Sequence, residues 1–158
     1  MSKIILIGAG THAISVIDSL NSISKLEIAG LIDNNPILQG DIIMGYRVLG
    51  NCEKLSEIRE SGVTYAFVSV GGITNSVERE LLYDSAQRAG FRVPIIIDPS
   101  ATFSSDASFD VGVYVGKRAS IGALASISRL VIIGAGAIVE PKCDIASFAH
   151  IEAGAVLG

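Results

Sequence analysis

From Ile97 onward every sixth residue is apolar: Ile97, Phe103, Phe109, Val115, Ile121, Ile127, Ile133, Val139, Ile145, Ile151 and Leu157, eleven positions without a break. Four places after each of the first ten stands a small or β-branched residue, running through Ala101, Ala107, Val113, Ala119, Ala125, Val131, Ala137, Cys143, Ala149 and Ala155. A helix of period 3.6 drifts out of phase with such columns, and plain strand alternation does not single out one position in six. A hexapeptide β-helix requires both columns, because the large aliphatic fills a triangular core and the small residue sits near the corner. Three hexads close about 18 residues into one coil, and coils stack at roughly 4.8 Å. About three coils therefore fit between Ile97 and Gly158. The column predicts that Ile121, Ile127, Ile133, Val139 and Ile145 point inward.

Composition narrows the partners. Twelve Lys and Arg against sixteen Asp and Glu give a net charge of −4 with no basic stripe, which argues against nucleic acid or an anionic membrane as the main partner. Cys52 and Cys143 stand far apart, with no CxxC and no His/Cys cluster, so neither a disulfide framework nor a metal site is signalled. A reducing cytoplasm is the expected compartment. No apolar run approaches the ~18 residues of a membrane span, and the apolar stretch after Met1 is too short for a signal peptide.

Before residue 96 the pattern alternates between strands and helices. Lys3 to Ile7 reads as a buried strand, and Gly8-Ala9-Gly10 as a turn. Ala13, Ile14, Val16, Ile17 and Leu20 form a helical stripe. Leu26 to Ile32 is a second strand closed by Asp33-Asn34-Asn35-Pro36, where amide side chains and proline favour a turn. Residues 37–50 read as loop or short strand, 52–61 as a helix, 65–70 as a strand ended by Gly71-Gly72, and 76–89 as a helix. The predicted fold class is α/β plus all-β: a small Rossmann-like parallel α/β domain over 1–96, then a parallel β-helix over 97–158.

Gly8-Ala9-Gly10-Thr11-His12-Ala13 approximates the G-x-G-x-x-G/A loop, where glycines admit close backbone approach and a helix N-terminus offers N–H groups to phosphate. Asp33, ending the second strand, is placed to accept from a ribose hydroxyl or a base, and Gly71-Gly72 falls at the same sheet edge. The alternative is plain: such glycines also simply turn a strand into a helix, and Asp33 can cap its own turn. A mononucleotide fits better than NAD, because the hexads occupy the place of a second βαβαβ half. NAD binding is the lesser alternative.

Taken together, Gly8-Ala-Gly-Thr-His-Ala13, Gly30-Leu-Ile-Asp-Asn-Asn-Pro36, Gly45-Tyr-Arg-Val-Leu-Gly50, Val68-Ser-Val-Gly-Gly72 and the hexads from Ile97 resemble the bacterial sialic-acid O-acetyltransferase and UDP-4-amino-sugar N-acetyltransferase family. The resemblance runs the whole length. It implies a left-handed β-helix, trimerised along its coils, with acetyl-CoA as co-substrate held between subunits. It also implies a UDP-sugar or related nucleotide sugar on the N-terminal domain, acylated at an amino or hydroxyl group in surface-glycan biosynthesis. The nucleotide-sugar positions it marks are Gly8, Gly10, Thr11, His12, Asp33, Asn34, Gly71 and Gly72.

Two departures qualify that expectation. The hexad that carries the family's presumed catalytic histidine reads Val139-Glu140-Pro141-Lys142-Cys143-Asp144 here, and Pro141 has no proton-accepting side chain. The next family histidine is kept as His150, expected near the acetyl group and the remaining candidate for a catalytic role. Relatives also continue through further coils, whereas Leu157-Gly158 stands two residues into a hexad, so the chain is expected to be C-terminally truncated. Weak acetyl transfer follows as the expectation, and the competing reading is a non-catalytic nucleotide-sugar-binding or trimerising protein, or a truncated remnant.

Overall fold

A computed structural model describes residues 1–158. Strand β1 (Ser2–Ile7) lies between β2 (Leu26–Ile32) and a later strand, Tyr65–Val68, in a three-stranded parallel sheet. Being central, β1 buries Ile4, Ile5, Leu6 and Ile7 on both faces, which explains an unbroken apolar run where a half-exposed strand would alternate. Helix α1 (Thr11–Asn21) returns the chain across the sheet and buries Ala13, Val16, Ile17 and Leu20. Ile14, read into that stripe from the sequence, is instead exposed. The buried line runs through Ala13, Val16, Ile17 and Leu20 at spacings of three and one, and Ile14 falls to one side of it.

Residues 37–50 resolve into short elements. A 3-10 turn (Pro36–Leu38) leads into a hairpin of β3 (Ile42–Ile43) and β4 (Tyr46–Arg47). Met44 and Gly45 both have positive φ, 49° and 89°, the geometry that a two-residue hairpin loop demands. After it Val48 bridges to Leu31 beside β2. Helix α2 (Leu55–Glu60) is shorter than predicted, because Cys52–Lys54 forms a 3-10 turn. Strand β5 (Tyr65–Val68) and helix α3 (Ser76–Arg88) complete the unit.

From Ile96 the chain winds as a left-handed parallel β-helix. Each two-residue strand pairs with the one 18 places on: Ile96–Ile97 with Tyr114–Val115, then Ile132–Ile133, then His150–Ile151. The second face stacks Thr102–Phe103, Ser120–Ile121, Ile138–Val139 and Val156–Leu157, and the third stacks Ser108–Phe109, Ser126–Ile127 and Asp144–Ile145. Three coils are complete and two strands of a fourth follow. Ile121, Ile127, Ile133, Val139 and Ile145 are all buried, with Ala119, Ala125 and Ala137 beside them at the corners. Phe103, in the same column, is 49% exposed. Its coil is the first and has no coil beneath it, and its ring meets Phe109 edge to face at 5.4 Å.

A third column becomes visible only in the backbone. Gly112, Arg118, Leu124, Leu130, Gly136, Lys142, Phe148 and Gly154, every sixth residue, all have φ between 56° and 76°. Each corner turns through one left-handed residue, a conformation that costs a non-glycine residue roughly 1 kcal/mol or more. Glycine occupies only three of these eight positions, so residue type alone does not show the column.

No linker separates the two architectures. Ile96, Tyr114 and Ile132, on the outer surface of the first β-helix face, join the core that holds Ile4, Leu6, Val16 and Phe67. Leu130 and the half-buried Phe148 pack with Leu82 and Tyr83 of α3. A polar seam runs beside this contact. Asp98, 2% exposed, accepts from Ser19 Oγ at 2.6 Å and from Ser100 N and Oγ at 2.9 and 2.6 Å. Lys117 Nζ pairs with Asp98 at 3.3 Å and with Asp18 at 3.2 Å. No helix is long and apolar enough to cross a membrane.

Candidate functional site

The glycine loop after β1 turns so tightly that its two glycines do different work. At Gly8, with φ at 117°, a Cβ would stand 2.6 Å from Val70 Cγ2 and 3.0 Å from Val70 N. The Ser69 hydroxyl donates to the Gly8 carbonyl at 2.6 Å. Gly8 thus lets β1 and the end of β5 close against each other, and it does not line the cavity beyond. Gly10 has an ordinary φ of −87° and open space where a Cβ would be. It caps α1 with no side chain in the way, leaving first-turn N–H groups free to meet an anion.

Beyond Gly10 lies a cavity of about 600 Å³ between the α/β unit and the coils. Gly10, Thr11, His12, Asp33, Gly71, Gly72 and His150 line it. The facing wall is a β-helix corner of Gly116, Gly134, Ala135 and Ala153, with Tyr114 and Lys117 beside it. That corner is glycine for a packing reason: a Cβ at Gly134 would stand 2.5 Å from Ala153 N in the coil above. Asn34 lies elsewhere. It borders a separate hollow of about 310 Å³, where its Oδ1 accepts from Cys52 N at 2.9 Å. Pro141 is exposed and outside the cavity, on the next corner of the coil.

Asp33 reaches the cavity with both carboxylate oxygens engaged. Oδ2 accepts from Ala9 N at 2.9 Å and Oδ1 from Asn35 N at 2.8 Å. It therefore braces the glycine loop and its own turn, and carboxylate lone pairs remain for a further donor.

The two histidines of the chain meet here, with ring centroids 6.4 Å apart. His150 Nδ1 accepts from the Gly72 amide at 2.8 Å. A nitrogen that accepts carries no proton, so neutral His150 holds its proton on Nε2. Burial and the nearby Arg79 charge push the His150 pKa down, against an upward pull from Glu152. His12 is more deeply enclosed, its ring edge-on to Tyr114 at 5.0 Å. Burial, then the His150 and Arg79 charges, lower its pKa to about 4, so it is neutral at ordinary pH. Its Nε2 is buried without a hydrogen-bond partner. Gly71 permits this crowding, since a Cβ there would stand 3.0 Å from His12 Cβ and 3.5 Å from His150 Cε1.

Sequence reasoning missed Arg79, Asp98, Tyr114 and Lys117. Arg79 has no signal in the sequence, being one charged residue on a predicted helix. Asp98 sits at the entry to the hexads, where an acidic residue reads as solvated.

Residues 3–86 match the family described as the PglD N-terminal domain. The acetyltransferase domain of PglB from Neisseria gonorrhoeae is 27% identical and superposes with a TM-score of 0.84, covering 100% of this chain and 74% of that one. The same domain in complex with acetyl coenzyme A is 28% identical over 99% of this chain and 73% of the other, with a TM-score of 0.85. A histidine-to-asparagine variant of perosamine N-acetyltransferase from Caulobacter crescentus, in complex with CoA and GDP-perosamine, is 26% identical over 99% of this chain and 74% of that one, with a TM-score of 0.69.

Proposed function

From the premise that this chain belongs to the PglD N-terminal domain family, we propose that it is an acetyl-CoA-dependent acetyltransferase acting on a nucleotide-linked sugar. One observation carries this reading: a single cavity joins the glycine loop and α1 N-terminus to a glycine-cornered β-helix wall, with His150 between them. The nucleotide diphosphate would meet the first-turn N–H groups of α1 at Gly10, Thr11 and His12, with Asp33 and the Gly71–Gly72 loop beside it. Gly8 supports that loop from behind through its close approach to Val70, and Asn34, on its separate hollow, takes no part.

In the reaction the acceptor nitrogen or oxygen attacks the thioester carbonyl carbon, the C–S bond breaks, and the acceptor's proton leaves with the thiol or to water. His150 contributes as a donor in this reading. Its Nε2–H is available to an oxygen that gains negative charge, and one such donor is worth about 10²–10³ in kcat. Pro141 supplies no base, so an amine attacks through its unprotonated fraction. A rate below the roughly 1 s⁻¹ of ordinary enzymes follows.

The test is release of CoA thiol with appearance of an acetylated sugar, measured for the full chain with acetyl-CoA and either UDP- or GDP-linked amino sugars. UDP-sugar is the expected partner. Binding of a nucleotide sugar without turnover would favour the non-catalytic reading that Pro141 motivates, and calorimetric binding of NAD alone would overturn both. A homotrimer through the coils is part of the proposal. Ile138 and Val156 stack on the second β-helix face at 41% and 64% exposure, an apolar strip suited to a second copy, and sedimentation of the full chain checks it. The cytoplasm, where thiols such as those of Cys52 and Cys143 stay reduced, is the compartment proposed.

A further inference from the structure

Arg79 is 1% exposed and pairs with no carboxylate. Arginine is rarely buried without a counter-charge, because desolvating the cation is costly unless hydrogen bonds replace its water. Here the bonds go to two main-chain carbonyls on opposite sides of the junction. Nη1 donates to Gly72 at 2.8 Å, and Nη2 donates to Phe148. Phe148 precedes His150 by two residues in the coil. Gly72 is the residue whose amide donates to His150 Nδ1. The guanidinium therefore bridges the two segments that must stay in register for that bond to form.

We propose that Arg79 is a positioning residue that clamps the Gly71–Gly72 loop to the coil bearing His150, and so holds the imidazole as its neutral Nε2–H tautomer. The inference rests on the reading of His150 as the donor in the site. Two effects act together. The planar fork reaches both carbonyls at once, which a lysine ammonium on a flexible stem does not reproduce. The fixed positive charge also opposes imidazolium formation, and protonating Nδ1 would set two N–H groups against each other at Gly72. The charged or titratable groups that act on His150 are Arg79 from α3, His12 from α1 and Glu152 from the coil itself. Glu152 alone favours the charged ring.

Nitrogen-15 NMR of the full chain tests this without requiring turnover, and the chain's two histidines are assigned by substituting each in turn. In the wild type, His150 should show an unprotonated Nδ1 and a protonated Nε2, and should titrate below the ordinary 6.5. In Arg79→Gln the titration should rise toward that value and the two nitrogens should average between tautomers. Arg79→Lys should keep the low titration and lose the single tautomer. With activity present, kcat in Arg79→Gln should fall on the order of 10²-fold, as for a displaced catalytic group, a larger change than in the KM of either substrate. A protonated Nδ1 in the wild type overturns the proposal even if no variant folds. So does an Arg79→Gln spectrum identical to the wild type's. The expected spectra with no acetyl transfer under any condition would instead overturn the acetyltransferase reading and leave the clamp intact.

Discussion

The coils and the α/β unit hold together by opposite means. In the coils every environment recurs 18 residues on, so Ile97, Val115, Ile133 and Ile151 fill successive layers of one column. Packing there is a repeated local rule, and its weak point is the first coil, where Phe103 has no coil beneath it and stays half-exposed. In the α/β unit nothing recurs. Gly8 and Gly10, two places apart, serve one a backbone contact and the other an open loop. The junction combines the two logics, with Asp98 and Tyr114 drawn from the coils and Ser19 and Arg79 from the helices. A periodic element thus supplies a rigid flat wall, and the aperiodic one supplies the individually placed groups that face it.

The largest effect should come from breaking the column in its middle. Ile133→Asp puts a charge among aliphatics with no partner and should cost about 3–5 kcal/mol, whereas Phe103→Asp, at the exposed end of the column, should cost less than about 1 kcal/mol. Urea unfolding of the two variants makes the comparison. Equal losses would mean that the first coil is as closely packed as the third.

Acid should separate the two regions next, because the junction holds two groups with strongly displaced pKa values. His12 is lowered from 6.5 to about 4. Between those values the unfolded chain takes up a proton that the native chain refuses, so stability is full above pH 6.5 and falls toward pH 4 by about 3 kcal/mol. At Asp98 burial acts upward, but hydrogen bonds from Ser100, Ser19 and Lys117 prevail and hold the pKa at about 2, against 3.8 unfolded. Its contribution, about 2 kcal/mol, is present above pH 3.8 and lost as pH falls through 2. Thermal melts across pH 2–8 should therefore decline in two steps. His12→Asn should shrink the upper step, leaving the share that the lowered pKa of His150 contributes, and leave the lower step in place. A single step in the wild type would show that one of these groups is solvated.

The smallest effect sharpens the comparison at its glycines. Gly136 has a φ of 69° with open space around it, so Gly136→Ala meets backbone strain alone and should cost about 1 kcal/mol without altering ligand binding. Gly10→Ala meets neither strain nor contact and should change stability by less than about 0.5 kcal/mol, yet weaken nucleotide-sugar binding by crowding the loop. Melting temperature and calorimetry on the pair distinguish these roles, and a large stability loss in Gly10→Ala would make it a packing glycine like Gly8.

What the sequence determined by itself was everything that repeats or is local. Two columns of period six dictate the coils, their number and their inward residues, because each hexad states the same packing requirement and eleven statements agree. The βα opening, the turn at Asp33 and the loop at Gly10 follow from short-range backbone chemistry in the same way. The tertiary structure alone decided what depends on residues brought together once. Arg79 meets Phe148 across 69 residues, Gly72 meets His150 across 78, and Ser19 meets Asp98 across 79. Each of these is a single event with no period to betray it. The tautomer of His150, the burial of Asp98 and the separation of Asn34 from the cavity all descend from such events. The left-handed corner column is the intermediate case. It repeats without fail in the backbone, but five of its eight residues are not glycine, because stacking between coils holds those corners in a conformation their own side chains disfavour.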